Sequence, residues 1–313
     1  MTETPLGGGG EFDRIRAIAA ALGGRARELG NDTALVRLGD TTVALSADVS
    51  VEGVHFRREW LSFEEIGWRA AASALSDLAA SGAEPIGVLA ALTIPAQEPL
   101  STFVALMQGV GAAVDAVGGK VLGGDLSRGA AIALALTVLG TATTPVKRSG
   151  AHPGDGVWVT GELGGARAAL TAFLAAREPD PGARARFARP EPRIAWGRWL
   201  AAHGARAMLD VSDGLAGDAG HLAAASGVAL RIELERVPCH PAVRAEALQA
   251  GEPAPVFAAK GGEDYELLVV LPSAFPGAVE FPLTRVGEVL PGAGLRLELA
   301  GRPVVLAGYE HFA

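Results

Sequence analysis

Apolar and small or polar residues alternate along Thr41–Ala47, a two-residue period that predicts a strand ending at Asp48. Thr33–Leu38 and Thr41–Ala47 flank Gly39-Asp40, which predicts a hairpin despite the reversed order of the turn dipeptide. Glu52 and His55 follow on a stretch broken by Gly53. Ser62 with Glu65 three residues later is a capping box, so a helix starts there, and Gly82 ends it. Ile86–Ile94 reads as an apolar strand stopped by Pro95, and Leu100–Val117 as a helix. Lys120–Leu122 reads as a short strand running into Gly123-Gly124-Asp125. Ala130–Thr141 is almost wholly apolar, which predicts a strand buried on both faces. Ahead of all these, Glu11–Leu22 reads as a short helix and Met1–Gly9 as a mobile tail with little to bury.

The character changes over Thr143–Asp155, where proline, Lys147, Arg148 and glycines gather. A domain boundary is expected there, dividing residues 1–145 from 146–313. Beyond it, Val157–Thr160 predicts a strand and Gly164–Ala176 a helix. Glu178–Pro192, charged and rich in proline, reads as an exposed connection, and Arg193–His203 as a helix. Ala207–Val211 predicts a strand ending near Asp210, followed by a helix over Gly214–Ala225. Further strands are expected around Val228–Leu234, Tyr265–Leu271, Thr284–Val289 and Leu295–Leu299. Strands alternate with helices in both halves, so the class is α/β or α+β.

Length and composition narrow this. The 313 residues make two domains the default, and 49% hydrophobic content supplies their cores. A formal charge of -8 argues against a nucleic-acid surface, which carries a basic patch. Cys239 is the only cysteine, so no intramolecular disulfide or cysteine zinc cluster forms; a reducing cytoplasm is expected. No signal peptide or long apolar run is evident.

Carboxylates recur beside glycine or serine in LSDLAASG (Leu75–Gly82), GGDLSRG (Gly123–Gly129), LDVSDG (Leu209–Gly214) and GGEDYEL (Gly261–Leu267). Asp32, Asp48, Asp77, Asp125, Asp210 and Asp213 offer hard oxygen ligands, which suit Mg²⁺ or Ca²⁺ over zinc or copper. Asp77 falls near the end of its helix, where its charge opposes the helix dipole and a cation would offset the cost. Arg148 at the domain junction is suited to bidentate pairing with a phosphate. The pattern points to nucleotide or polyphosphate chemistry. P-loop, dinucleotide-binding, protein-kinase and G-x-S-x-G signatures are absent. Cys239-His240, between prolines, reads as a loop rather than a dyad, and His221 as a structural helix residue.

GEF (Gly10–Phe12), ND-x-A (Asn31–Ala34), SAD-x-x-VEGVHF (Ser46–Phe56), LSDLAASGA (Leu75–Ala83), GGD-x-x-RG, RSGA-x-PGD (Arg148–Asp155), LDVSDGL, GGEDYEL and GYEHF (Gly308–Phe312) occur in that order. Together they resemble the thiamine-monophosphate kinase family. The resemblance implies a two-domain fold of the aminoimidazole-ribonucleotide-synthetase-like type, with N-terminal sheets pairing in a homodimer. It implies ATP as co-substrate and phosphorylation of thiamine monophosphate to thiamine diphosphate, assisted by several Mg²⁺ ions and without side-chain acid/base catalysis. On matching positions it implies Asp32, Ser46, Asp48, Asp77, Asp125, Asp210 and Asp213 as metal ligands. Gly124, Asp125, Arg148 and Ser212 would contact ATP. His55, Glu263 and Tyr309 would contact the thiamine phosphate, although Glu263 and Tyr309 taken alone suit packing roles equally.

Three positions depart from the family pattern. Asn31 stands where Asp is usual, Ala47 where Thr is common, and Lys260 where a small residue precedes GGEDYEL. Two alternatives follow: a non-catalytic sensor of ATP or thiamine phosphates, or another enzyme of the superfamily. Selenophosphate synthetase, the nearest of those, uses a reactive Cys or selenocysteine in an N-terminal glycine-rich segment, which this chain lacks.

Overall fold

The computed structural model describes residues 10–26, 29–277, 280–306 and 308–309. The expected tail Met1–Gly9 lies outside them, as do Glu310–Phe312 of the last motif. In chain order the elements of the first half are α1 (Gly10–Leu22), β1 (Ala34–Leu38), β2 (Thr41–Val51), α2 (Phe63–Ala80), β3 (Glu84–Ile94), α3 (Leu100–Ala116), β4 (Lys120–Arg128) and β5 (Ala133–Thr141). The second half continues with β6 (Gly156–Thr160), α4 (Gly165–Leu174), α5 (Pro181–Ala188), α6 (Ile194–Ala202), β7 (Ala207–Asp210), α7 (Leu215–Ser226) and β8 (Ala229–Glu233). It closes with α8 (Val243–Ala250), α9 (Ala254–Ala259), β9 (Leu267–Leu271), β10 (Leu283–Leu290), β11 (Gly294–Leu299) and β12 (Arg302–Val304).

Two sheets result. The first has the order β1-β2-β5-β3-β4, antiparallel except for the β3–β4 pair. The second has the order β12-β11-β8-β10-β6-β9-β7, with β11–β8 its parallel pair. The fold is thus mixed α and β in two layered halves, as the sequence pattern predicts.

Helix α2 lies between the two halves, and its sequence explains how. Ser62 Oγ accepts from the Glu65 amide at 3.2 Å, and Glu65 returns a bond to the Ser62 amide at 2.9 Å, so the predicted capping box forms. Alanines around most of its circumference let it pack against β2 and β5 on one side and α6 and β7 on the other. It crosses α3 at two glycines. A Cβ on Gly67 would stand 1.9 Å from the Leu106 carbonyl oxygen, and one on Gly109 1.9 Å from that of Glu64. The backbones touch, and any side chain at either position would force them apart.

Several expectations are corrected. β2 continues past Asp48 to Val51. β4 does not stop at Leu122 but carries Gly123, Gly124 and Asp125 inside a strand that reaches Arg128. β5 alternates buried and half-buried positions rather than burying both faces, because the helices cover only one side of the first sheet. The stretch read as an exposed connection contains α5, which buries Ala183, Phe187 and Ala188. Helices α8 and α9 and strand β12 were not expected. The single cysteine's thiol donates to the Val237 carbonyl, and His240 Nδ1 accepts from the Ala242 amide, so each has a local structural partner. His221 stacks on Phe12 with ring centroids 3.8 Å apart.

Candidate active site

Asp32 precedes β1, Asp77 sits in the last turns of α2, and Asp210 ends β7 in the second sheet. Oxygen atoms of these three carboxylates all lie within 4.8 Å of one another. Sequence separation hides this convergence; the fold produces it because α2 is wedged between the sheets. Ser46 Oγ, one turn of the pleat from Asp48 on β2, donates to Asp77 Oδ2 at 2.5 Å. Asp48 accepts from Ser73 of α2 and from the Val49 amide at 2.7 Å.

The electrostatics are those of too many like charges in too little water. Burial first, then the charges of Asp210, Asp32 and Asp48, push the Asp77 carboxyl well above the usual carboxylate range, against the Ser46 bond. Asp210 rises to about 7, again through burial and then Asp32. Arg148 faces the group: its Nη2 and Nε donate to Asp32 Oδ1 at 2.7 and 3.1 Å. Burial opposes its charge, but Asp32 more than offsets that and holds it protonated. One guanidinium does not balance this many acids. A hard divalent cation fits the donor set by charge and by ligand chemistry.

Asp213 adjoins the group, since its charge acts on Asp210. Its amide donates to Asp218 Oδ2 at 3.2 Å and its carbonyl accepts from the Tyr309 amide at 2.9 Å. Ser212 lies on the same turn, where its carbonyl accepts from the Glu263 amide at 2.7 Å. Tyr309 is thereby tied to the Asp213 turn with its ring half exposed. Glu263 forms an ion pair with Arg69 of α2. His55 Nδ1 accepts from the Val51 amide at 3.0 Å, which fixes its ring at the loop after β2. Asn31, the departure beside Asp32, accepts from the Arg148 amide through Oδ1 at 3.3 Å and so helps seat that arginine.

Gly124 and Asp125 are the residues the fold does not bring to this group. Register runs Asp48–Leu136–Ala90–Gly124 across four strands, so Gly124 is about 14 Å from Asp48 at strand spacings of about 4.8 Å. The neighbouring row is Val49–Ala135–Ala91–Asp125. Adjacent residues in a strand face opposite sides, so Asp125 projects from the outer face while Asp48 projects toward α2. Gly124 is exposed on the edge strand, and a Cβ there would lie 1.8 Å from the Ala90 carbonyl oxygen of β3; the position accepts only glycine.

Two residues in or beside the site were not singled out from sequence. Asp218, 3% exposed in the first turn of α7, is raised well above the carboxylate range by burial, then by Asp213 and Asp210. An acid in a first helical turn reads as a solvated dipole partner. Arg69 reads as an ordinary helix residue until α2 is seen to be enclosed.

The AIR synthase related protein N-terminal domain model matches residues 30–142, and the C-terminal domain model matches residues 152–299. The fold and the site therefore define an AIR-synthase-related protein. The thiamine-monophosphate kinase of Aquifex aeolicus (strain VF5) is 34% identical over 307 residues, covering 97% of this chain and 98% of that protein. That of Methanopyrus kandleri is 37% identical over 271 residues, 86% of this chain and 85% of that one. Among solved structures, AaThiL complexed with AMPPCP and TMP superposes with a TM-score of 0.88 at 33% identity, covering 97% of each chain. Thiamine-monophosphate kinase from Stenotrophomonas maltophilia K279a gives 0.77 at 32% identity, covering 93% of this chain and 96% of that one. The chain belongs to the thiamine-monophosphate kinase family.

Proposed function

We propose that the protein transfers the γ-phosphoryl group of ATP directly to the phosphate of thiamine monophosphate, giving ADP and thiamine diphosphate, with no phosphoenzyme. The observation that carries this reading is the meeting of Asp32, Asp77 and Asp210 from both halves within 4.8 Å, facing Arg148. The acceptor oxygen is anionic at neutral pH, so a general base has little to do. The obstacle is repulsion: one pair of unit charges 4 Å apart costs about 4 kcal/mol at an effective dielectric near 20. Asp32, Ser46, Asp48, Asp77, Asp210 and Asp213 would hold Mg²⁺, which when bound neutralises phosphate oxygens and the charge on the transferring group. Arg148, pre-oriented by Asp32 and Asn31, offers its guanidinium to an ATP phosphate beside Ser212. His55, Glu263 and Tyr309 contact the thiamine phosphate.

In this reading residues 1–145 form the ATP- and metal-binding and dimerisation domain and 146–313 the second α/β domain. The outer face of the first sheet exposes Val36, Val49 and Leu89 and supports pairing with a second copy. Gly124 and Asp125 then belong to a nucleotide and metal site completed across that pair, because Asp125 shares the apolar face. Among the described residues no helix is long and apolar enough to cross a membrane, which suits an enzyme of the cytoplasm.

Phosphorus NMR of protein, ATP, Mg²⁺ and thiamine monophosphate tests the reading. The diphosphate signals of the product should grow in step with ADP. Tight binding of both substrates with no new diphosphate would replace the kinase by a sensor.

A further inference from the structure

The acids of GGEDYEL take different partners, Asp264 the Gly164 amide and Glu266 Arg193, and the first of them, Glu263, has a partner that the proposed reaction does not use. Arg69 extends from α2, 4% exposed, and meets the Glu263 carboxylate, whose side chain is 27% exposed. The pair is one-sided: cation behind, anion toward solvent. Arg69 is also fixed at two further points. Its Nη1 donates to the Phe187 carbonyl of α5, and its guanidinium lies over the Phe187 ring at 4.0 Å. Phe187 in turn packs with Phe173 and Trp60, ring centroids 5.6 and 6.4 Å away.

Glu263 is held from its own side as well. Its amide donates to the Ser212 carbonyl at 2.7 Å, and its φ is +65°, a left-handed conformation uncommon for a residue with a side chain. Tyr265, two residues on, has φ +52°. Backbone kept in such a region at a cleft is there to aim something. What is aimed here is a carboxylate, whose charge acts with that of Asp48 on buried Tyr265.

We infer that Arg69 is a positioning residue for the acceptor substrate: it clamps Glu263 so that its free carboxylate edge faces the cationic thiazolium-bearing molecule. The inference rests on the reading that Glu263 contacts the thiamine phosphate. Arg69 itself touches no substrate. Its guanidinium serves three partners at once, and the ammonium of lysine cannot reproduce that planar fork and stacking.

The test is steady-state kinetics of Arg69→Gln and Arg69→Lys with ATP and thiamine monophosphate varied separately, beside Glu263→Gln and melting curves. The expected result for Arg69→Gln is a KM for thiamine monophosphate raised about 10-fold or more, with the KM for ATP unchanged. Arg69→Lys should recover part of the loss. An unchanged acceptor KM in folded Arg69→Gln, or a rise for ATP in step with it, overturns the inference. Should Arg69→Gln fail to fold, Arg69→Lys decides, since an acceptor KM equal to wild type would overturn it. Glu263→Gln separates the two claims. If it raises the acceptor KM and the arginine variants do not, only the clamp is wrong; if it leaves that KM unchanged, the underlying assignment of Glu263 is wrong.

Discussion

Two buried acidic groups in this molecule have opposite electrostatics. Glu266 is fully buried, yet it accepts from Arg193 at 2.7 and 3.0 Å, from Arg186 at 2.5 Å and from Thr160 at 2.7 Å. Burial works to raise its pKa, but the two guanidiniums win and hold it below the usual range. Asp32 and Asp210 are buried with half-buried Asp77 between them and share one arginine, and there the carboxyls of Asp77 and Asp210 are pushed up. A buried acid whose partners are built into the chain is part of the scaffold. A group short of positive charge is an invitation to a cation from solution, and the two kinds stand close in the fold: Asp210 pairs with Leu267, the residue after Glu266, and the Val211 amide donates to the Glu266 carbonyl at 2.7 Å.

The comparison can be broken most directly at Glu266. Glu266→Gln leaves two buried guanidiniums facing a neutral amide, and the fold should lose about 3–5 kcal/mol. Urea unfolding measures it, and a loss under about 1 kcal/mol would mean the network is not structural. Asp77→Asn should do the reverse. It removes one of several repelling charges, so metal-free stability should hold or rise, while turnover falls about 100-fold, or about 2.7 kcal/mol. Loss of folding with turnover retained per folded molecule would contradict the assignment.

The pH dependence sharpens the contrast. The folded pKa of Asp210, about 7, lies above the ordinary aspartate value of 3.8. The folded state therefore binds more protons between these values, and the associated stability is present at low pH and lost as pH rises through about 7. A cation displaces that proton, so Mg²⁺ should raise the melting temperature by several degrees at pH 8 and hardly at all at pH 5.5. Equal Mg²⁺ shifts at both pH values would refute the site. The smallest effect belongs to a third environment. Arg198 and Glu84 pair at 2.9 Å with both side chains about half exposed, and Arg198→Ala should change stability by under about 0.5 kcal/mol.

How much of this could be read from the chain follows from what local pattern encodes. The hairpin of β1 and β2, the capped start of α2 and the strand leading to Asp210 depend on neighbours in sequence, and they were legible. The three carboxylates were legible as residues but not as neighbours, because α2 must first be enclosed by two sheets. Residues 178–192 looked solvated because arginines and prolines outnumber apolar positions, although Ala183, Phe187 and Ala188 anchor α5 in the core. Asp218 and Arg69 carried no signal, since an acid or a base on a helix is ordinary until both its sides are covered. The outward placement of Asp125 was invisible for another reason: facing depends on the parity of a strand whose length was underestimated.

That parity turns on one amino acid. Between Val88 and Leu89 the ladder to β4 skips Leu122, so Val88 meets Val121 and Leu89 meets Gly123. Strict alternation from Val121 would put Asp125 on the side of Val121; the extra residue Leu122 resets the alternation, so Asp125 shares the open face with Leu89 and Ala91 instead. A single irregular link in an edge strand thus works as an address label, deciding which compartment of the molecule receives a charge.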